Sequence, residues 1–215
     1  MPTLANIVSA LKEVAADLKN HSEELRQLDA IIGDGDLGVT TELGSKAICE
    51  YLASAEEDNI GQLLAKCGMQ FNKASPSTFG TLLASAFMEA GKAVLGKKEI
   101  DIKDLAVMGD GAINGMKKRS KAEVGDKTML DCLVPAVEAF KKALADGAET
   151  KAALEAAVVA AEAGMKATIP MVSKHGRASW HQESSVGVQD AGATVMYYII
   201  ESFVRNLVSS SRGNV

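Results

Sequence analysis

Apolar side chains recur at helical spacing along almost the whole chain, and this periodicity restricts the fold more than any single motif. In the first segment, Ile7, Leu11, Val14, Leu18 and Leu25 fall on one face of a helix. Ala, Leu, Glu and Lys are abundant, and these residues favour helix. No segment alternates apolar and polar residues convincingly, as a half-buried strand does. The pattern therefore predicts an all-α protein.

Short polar stretches separate the periodic segments. The predicted helices cover residues 4–28 (with a candidate break at Asn20-His21), 37–54, 60–72, 78–95, 101–119, 129–145, 149–168 and 190–208. Short connections between long helices place neighbours antiparallel. We therefore expect a barrel or bundle of eight antiparallel amphipathic helices in a single domain, residues 1–208, followed by a flexible tail, residues 209–215.

The alternating direction of the helices sorts their connections between two ends. The second, fourth and sixth connections (SAEEDN, GKKE and ADGA) are ordinary turns. The other four carry the unusual sequences: an acidic loop, KASPST, SKAEVGDKT and the long segment from Pro170 to Gln189. Four helices begin at the end that carries these unusual connections, so free backbone amides and positive dipole ends meet there, as in anion-binding sites. We expect the functional site at that end.

The acidic loop lies in LDAIIGDGDLG, residues 28–38, and brings Asp29, Asp34 and Asp36 close together. Such carboxylates repel one another unless a cation sits among them, and hard oxygen ligands suit Mg²⁺ or Ca²⁺ rather than zinc. A dinucleotide fingerprint, G-x-G-x-x-G, is formally present but needs a βαβ unit, and an EF-hand needs a later bidentate Glu. The stretch predicts a divalent-cation site; an acidic, solvated turn is the alternative.

Carboxylates that hold metal beside amides that hold phosphate indicate a metal–nucleotide site. Arg177 and Lys127 are candidates to place positive charge near the transferred oxygens. Arg177 has an alternative role as an ion-pair partner of Glu183 or Asp190. His175 and His181, in the long loop, are interpreted as surface residues rather than catalytic groups.

Composition excludes several classes of protein. The net charge is -5, and no basic patch or RNA-binding aromatic motif occurs, which argues against nucleic acid as a partner. No apolar run approaches the roughly 20 residues of a membrane span, and the start of the chain lacks the basic region of a signal peptide. Cys49, Cys67 and Cys132 are widely spaced, as expected for free thiols in a reducing cytoplasm.

Three stretches identify a family resemblance: LDAIIGDGDLG, GDKTMLDCLVPAVEAF and GRASWHQESSVGVQDAGAT. They resemble the nucleotide-binding L subunit (DhaL) of dihydroxyacetone kinases, from the first predicted helix to the last. The resemblance implies a barrel of eight antiparallel helices with the nucleotide at one end. It also implies an Mg-dependent phosphotransferase that needs a K-type subunit, which binds the hydroxyketone covalently through a histidine. The phosphate source is either ATP or a tightly bound ADP recharged by a phosphotransferase-system M-type phosphoprotein.

The resemblance also assigns roles to individual positions. Asp29, Asp34 and Asp36 match the aspartates that bind two Mg²⁺ ions, and with Arg177 they form the implied catalytic set. The implied nucleotide contacts are Leu37, Gly38, Val39, Thr40, Ala74, Ser75, Ser120, Met129, Arg177, Asp190, Ala191 and Gly192.

Some positions depart from the family pattern. Leu37 stands where the family usually has His, Pro76 ends its glycine-rich loop, and Ser120 replaces a glycine. The departures leave room for another small ketose, such as erythrulose, as substrate. A nucleotide-binding regulatory module without kinase activity and a purely structural helical bundle are the rival interpretations. Monomer and homodimer are both open.

Overall fold

The computed structural model describes residues 1–210, and the side chain of Ser210 is left out of the description. The α-helices in this range are α1 (Leu4–Asn20), α2 (Ser22–Ile32), α3 (Leu37–Ala53), α4 (Ile60–Ala74), α5 (Thr78–Ala93), α6 (Ile102–Ser120), α7 (Met129–Ala145), α8 (Thr150–Ala167) and α9 (Ala191–Ser210). A 3-10 segment, Arg177–Ser185, interrupts the long connection before α9. No strand occurs within these 210 residues, which confirms the all-α prediction.

The helices close into a barrel. Along the chain, α3 to α9 each pack against the next helix, and α1 packs against both α3 and α9, so the ring has no open edge. The largest apolar cluster includes Ile7, Leu63, Phe71, Leu130 and Met196, from helices all around the ring. The amphipathic faces read from the sequence therefore point inward, where their burial stabilises the fold.

The first predicted helix is two helices, which divide at the candidate break. His21 ends α1, and its amide donates to the carbonyl of Asp17. The His21 ring stacks on Tyr198, with centroids 3.9 Å apart, and its Nδ1 lies 2.9 Å from a carboxylate oxygen of Glu24. Like α1, α2 packs against α3 and α9, so it extends the same position in the ring toward the acidic loop.

Side-chain caps set where several helices begin. Thr3, Asn59, Ser77, Asp101 and Thr128 each accept a hydrogen bond from an amide of the first turn. These bonds satisfy amides that have no partner within the helix. The α5 and α7 caps lie at the end of the barrel where the functional site is expected, so the chain enters both helices there at a fixed point.

The opposite end of the barrel is a plain, hydrogen-bonded closure. The amides of Leu4 and Ile60 donate to the carbonyls of Lys98 and Lys97, and the Ile100 amide donates to the carbonyl of Pro2. The turn before α6 thus joins the start of α1 to the start of α4. This agrees with the expectation that this end carries ordinary turns.

The helix α9 continues to Ser210, two residues beyond the predicted end of the last helix; residues 211–215 of the predicted tail lie outside the described part. Cys67 and Cys132 are buried free thiols, and Cys49 is half-buried. Within residues 1–210, no helix combines the length and apolarity needed to cross a membrane.

Candidate functional site

Three carboxylates meet where α2 gives way to α3. Asp29 lies in the last turn of α2, and Asp34 and Asp36 lie in the connection that follows. One oxygen from each lies within 4.8 Å of the others. The amide of Leu37 donates to Asp29 Oδ2 across 3.3 Å, which ties the first residue of α3 to this cluster. Three hard oxygen donors at this spacing fit Mg²⁺ or Ca²⁺.

Two glycines shape this connection. Gly35 has a φ of +72°, a left-handed conformation that side chains with a Cβ adopt at a cost. At Gly38, a Cβ would lie 2.1 Å from the carbonyl oxygen of Ser22 and 2.9 Å from the Cβ of Arg26. The start of α3 can therefore lie directly against α2 only because residue 38 has no side chain.

A positively charged side chain from a segment distant in sequence contacts the acidic cluster. Arg177, at the start of the 3-10 segment, makes an ion pair with Asp34, and its Nη1 lies 3.9 Å from Asp36 Oδ2. Burial, and then the charge of Asp29, raise the pKa of Asp36, so the carboxylates oppose one another's ionisation. Neither Glu183 nor Asp190 is the partner that Arg177 takes here, so that alternative is wrong.

A cavity of about 550 Å³ opens at the same end of the barrel, between the connections that precede α5, α7 and α9. Its lining residues are Pro76, Ser77, Thr78, Thr81, Leu82, Met116, Arg119, Ser120, Ala122, Thr128, Met129, Leu130, His175 and Gly176. The acidic loop is linked to the same end by Arg177, which follows Gly176 directly. All four unusual connections therefore converge at one end of the barrel, as the alternation of helices predicts.

The implied nucleotide contacts lie in several parts of this end of the barrel. Ser120 and Met129 line the cavity. Ala74 ends α4 and Ser75 begins the α4–α5 connection, just before the lining residue Pro76, and Ser75 is buried. Leu37, Gly38 and Thr40 are buried at the start of α3, and Val39 is exposed.

The start of α9 lies beside the cavity lining as well. A Cβ at Gly192 would lie 3.3 Å from Met129 Cγ, so this helix terminus abuts that of α7. Asp190 caps the helix: its Oδ2 accepts a hydrogen bond of 2.7 Å from the amide of Ala193. Four helix N-termini, those of α3, α5, α7 and α9, thus belong to this end of the barrel.

A comparison with protein families matches residues 31–205 to the DAK2 domain. The chain belongs to the DAK2 domain family. The matched range contains α3 to α8, most of α9, and two of the three clustered aspartates. Membership confirms the resemblance read from the motifs.

Individual relatives are similar to this chain over nearly all of its length. The ADP-binding subunit DhaL of the PEP-dependent dihydroxyacetone kinase of Escherichia coli is 33% identical over 195 residues, which are 91% of this chain and 93% of that subunit. The D-erythrulose kinase of Mycolicibacterium smegmatis is 31% identical over 98% of this chain but only 36% of its own length.

A solved structure shares the fold. The dihydroxyacetone kinase from C. freundii, in complex with AMP-PNP and Mg²⁺, superposes with a TM-score of 0.72 at 25% identity, over 95% of this chain. This chain spans about a third of that kinase, 34%. Its DAK2-type barrel thus corresponds to a complete small subunit in one relative and to one part of a longer chain in others.

Lys127 does not take the role suggested for it in this DAK2 domain. Its side chain is 1% exposed, and its Nζ donates to the backbone carbonyls of Thr168, Met171, Ser185 and Val188. Burial lowers the pKa of this ammonium, and the charge of Asp190 opposes that shift. Its donors are occupied inside the protein, so the prediction that Lys127 adds charge to phosphate oxygens is wrong.

Asp126, next to Lys127, ties the α6–α7 connection to the α8–α9 connection. It accepts hydrogen bonds from Lys174 Nζ at 2.7 Å and from the ring of His175 at 3.1 Å. The bond from Lys174, with smaller contributions from the Glu123 backbone and from His175, lowers the pKa of Asp126 to about 2. His175 is half-buried and lines the cavity, whereas His181 is exposed.

Sequence reasoning missed most of the cavity lining. Thr78, Thr81 and Leu82 lie within the first two turns of α5, and Met116 and Arg119 lie in the last turns of α6. The motifs led to loop residues, whereas a cavity between helices is also lined by positions one turn into each helix. Spacing of three or four residues from Ser120 and from the cap Ser77 could have indicated Met116 and Thr81.

Asp190 gives a prediction for the dependence of stability on pH. Burial raises its pKa to about 7, with a further push from the charge of Asp131, whereas an unfolded aspartate titrates near 4. Its contribution to stability is therefore full below about pH 4 and is lost as the pH rises through about 7. Asp190→Asn keeps a capping oxygen, and we expect it to flatten the decline in the free energy of unfolding across that range.

Urea denaturation at about pH 5 and pH 8, in EDTA, measures this difference in the free energy of unfolding. Asp146→Asn removes an exposed carboxylate at the opposite end of the barrel and serves as the control. If the free energy of unfolding falls equally between the two pH values in the wild type and in Asp190→Asn, the assignment of this pH dependence to Asp190 is contradicted.

Proposed function

We propose that this chain is the nucleotide-binding, Mg²⁺-dependent subunit of a dihydroxyacetone kinase-type phosphotransferase. The observation that carries the proposal is the meeting of Asp29, Asp34 and Asp36 at the barrel end that also holds the cavity. The relation to a named ADP-binding subunit over nearly its full length supports the same conclusion.

The acidic cluster fits magnesium in its donor chemistry. Asp29, Asp34 and Asp36 would hold the metal, as two ions that share these three carboxylates. Bound magnesium supplies neutralisation of phosphate charge and polarisation of the phosphoryl group. Burial, and then the charge of Asp29, raise the pKa of Asp36, so a cation among these carboxylates would lower the electrostatic energy of this loop.

Different residues of the chain would bind different parts of the nucleotide. Ser120 and Met129, which line the cavity, would hold the base and ribose, and the residues near the acidic cluster would hold the phosphates. The amides at the starts of α3 and α9, including the run Asp190–Gly192, lie along this path, where the positive ends of helix dipoles favour anions. ATP and a tightly bound ADP both satisfy this arrangement.

Arg177 acts on the transferred phosphoryl group. Its guanidinium already lies at the acidic cluster, paired with Asp34. With the carboxylate oxygens of Asp34 and Asp36 engaged in holding a cation, the guanidinium of Arg177 would be free to donate hydrogen bonds to phosphate oxygens at the same place. A planar, permanently charged donor suits this role, since it offers paired bonds to oxyanions.

The hydroxyketone is held elsewhere, by a K-type subunit that docks at this end of the barrel in the cytoplasm. Phosphoryl transfer needs mainly positioning and charge neutralisation from the protein, so the proposed function requires no covalent nucleophile at the acidic cluster. An M-type phosphoprotein would recharge ADP if the nucleotide stays bound between turnovers.

Nucleotide content and phosphoryl transfer test the proposal together. We would denature the purified protein, identify any released nucleotide, and titrate ATP and ADP by calorimetry with and without Mg²⁺. Transfer is then measured with a K-type subunit and dihydroxyacetone. Stoichiometric ADP that leaves only with EDTA supports a resident ADP, whereas exchangeable ATP binding supports free ATP as donor. Absence of Mg²⁺-dependent nucleotide binding would overturn the proposal.

A second candidate substrate, erythrulose, is favoured by one observation. The D-erythrulose kinase of M. smegmatis is similar to this chain over 98% of this chain's length, which is 36% of the length of that kinase. Parallel assays with dihydroxyacetone-specific and erythrulose-specific K-type partners distinguish the two. Mg²⁺-dependent nucleotide binding without transfer in either assay would favour a regulatory module.

Arg177 gives a prediction in which two readouts move in opposite directions. Because Arg177 competes with the cation for Asp34, Arg177→Gln should tighten Mg²⁺ or Mn²⁺ binding to nucleotide-free protein. The change should be up to about fivefold, since the ion pair is half exposed. Phosphoryl transfer should fall on the order of 100-fold. Calorimetry and a coupled assay measure the two effects.

Arg205→Gln is the matched control, since Arg205 pairs with Asp17 and Glu201 away from the site. A loss of metal affinity in Arg177→Gln would contradict the competition between guanidinium and cation.

A further inference from the structure

Lys127 occupies a cage of backbone oxygens. Its Nζ lies 3.0 Å from the carbonyl of Thr168, 3.1 Å from Met171, 2.7 Å from Ser185 and 2.6 Å from Val188. Those carbonyls come from the end of α8 and from both ends of the 169–189 connection. One ammonium thus joins parts of the chain 41 to 61 residues distant from it.

The cage depends on the positive charge. Four carbonyl dipoles that point at one another repel unless a cation lies among them. A buried ammonium is equally unfavourable unless its hydrogen-bonding capacity is used. Lys127 also has a φ of +63°, unusual for a residue other than glycine. Such a backbone conformation persists only where the surrounding structure fixes it, and these bonds fix it.

Apolar packing does little to define the shape of the 169–189 connection, which polar contacts hold instead. Its 3-10 segment is largely exposed, contains a non-helical residue at Gln182 and carries Trp180, whose side chain is 80% exposed. Ser173 and Ser185 are its buried residues, and the Ser173 amide donates to the Ser185 hydroxyl. No apolar side chain anchors the segment within the described chain at any of its buried positions.

The same connection carries two residues toward the site. Arg177 reaches Asp34, and His175 lines the cavity. Asp126, adjacent to Lys127, holds the ring of His175 and the ammonium of Lys174. Lys127 therefore holds the connection at both of its ends, and Asp126 holds it at residues 174 and 175.

We propose that Lys127 is a positioning residue, whose ammonium holds the 169–189 connection in the conformation that brings Arg177 to the acidic cluster. This inference rests on the proposed function for its effect on transfer. Its effect on the connection itself needs no nucleotide, metal or partner subunit.

The test compares three variants. Lys127→Met removes the charge at similar length. Lys127→Ala also leaves room for a small amine. The control, Lys121→Met, changes an exposed lysine in the same α6–α7 connection that also has a positive φ, 57°. The readouts are tryptic cleavage after Lys174 and Arg177, fluorescence anisotropy of the single tryptophan, Trp180, and the kcat and KM of phosphoryl transfer.

We expect Lys127→Met to speed tryptic cleavage about tenfold, because a loosened segment opens more often, and to lower the anisotropy of Trp180. We expect kcat to fall on the order of 100-fold through misplacement of Arg177, with a smaller change in the KM for nucleotide. Lys121→Met should match the wild type. Cleavage and kcat within about twofold of the wild type in Lys127→Met would overturn the proposal.

Chemical rescue separates positioning from general loss of structure. In Lys127→Ala, n-propylammonium replaces the missing atoms and should restore both slow cleavage and kcat. Propyltrimethylammonium carries the charge without N–H donors and should not. Lys127→Arg keeps charge and donors and should retain part of the activity. If the variants fail to fold even with n-propylammonium, Lys127 is a determinant of the whole fold and the proposal is wrong.

The readouts also distinguish this inference from the proposed function. Rapid cleavage in Lys127→Met, together with no phosphoryl transfer by the wild type, would support the role of Lys127 in holding the connection and would overturn the kinase function. Phosphoryl transfer by the wild type, together with unchanged cleavage in Lys127→Met, would support the kinase function and would overturn the positioning role of Lys127.

Discussion

Asp36→Asn is expected to lower Mg²⁺-dependent nucleotide binding and phosphoryl transfer by on the order of 100-fold or more, and Asp34→Asn to do the same. Asparagine keeps the shape of the side chain but removes the charge that balances a divalent cation. With one of three clustered carboxylates lost, the remaining pair holds metal much less firmly. Calorimetric titration with Mg–nucleotide and the coupled transfer assay measure both effects.

Metal-free stability separates this effect from loss of the fold. The raised pKa of Asp36 means that its charge is unfavourable in the folded protein, so Asp36→Asn should leave the metal-free melting temperature unchanged or higher. Asp58→Asn, at an exposed position in the opposite end of the barrel, should change neither readout. Unaltered nucleotide affinity in both Asp34→Asn and Asp36→Asn would favour the structural-bundle interpretation.

Phe71→Ala is expected to give the largest loss of stability, about 3–5 kcal/mol in the free energy of unfolding. Phe71 is 1% exposed in the central cluster, and its ring centroid lies 6.2 Å from that of Phe79. Its removal leaves a cavity that surrounding helices fill only in part. For a chain of this length, the melting temperature should fall by about 10 °C.

Two companion variants make the measurement specific. Phe71→Leu keeps most of the volume and should lose about a third as much. Met69→Ala lies on the same helix, but Met69 is 57% exposed and its truncation should change little. Thermal unfolding by circular dichroism compares the three. Equal losses for Phe71→Ala and Met69→Ala would contradict the assignment of Phe71 to the core.

The sequence predicted the parts of this protein that depend on local patterns. Helical spacing located every barrel helix, because each one buries a single face. Counting helix directions then placed the acidic loop and the long connection at one end, since direction in a closed antiparallel barrel follows from order alone. The break at His21 was visible as a candidate because two polar residues interrupt the apolar stripe there.

Other features depend on contacts that no local pattern encodes. Lys127 looked like any lysine near a phosphate site, and only the folded connection shows that four carbonyls surround it. The partner of Arg177 was missed for the same reason, since Asp34 lies more than 140 residues away in a different connection. The cavity lining comes from helix positions that carry no motif.

The closed ring of helices has a consequence for synthesis of the chain. Helices α4 to α8 contact neighbours adjacent in sequence, so this part can assemble while later residues are still being made. The helix α1 is different, because its contacts with α9 join the two extremes of the described chain. At the ribosome, the seam between α1 and α9 stays open until α9 emerges. Until then, the apolar faces at that seam are exposed to water and available to chaperones.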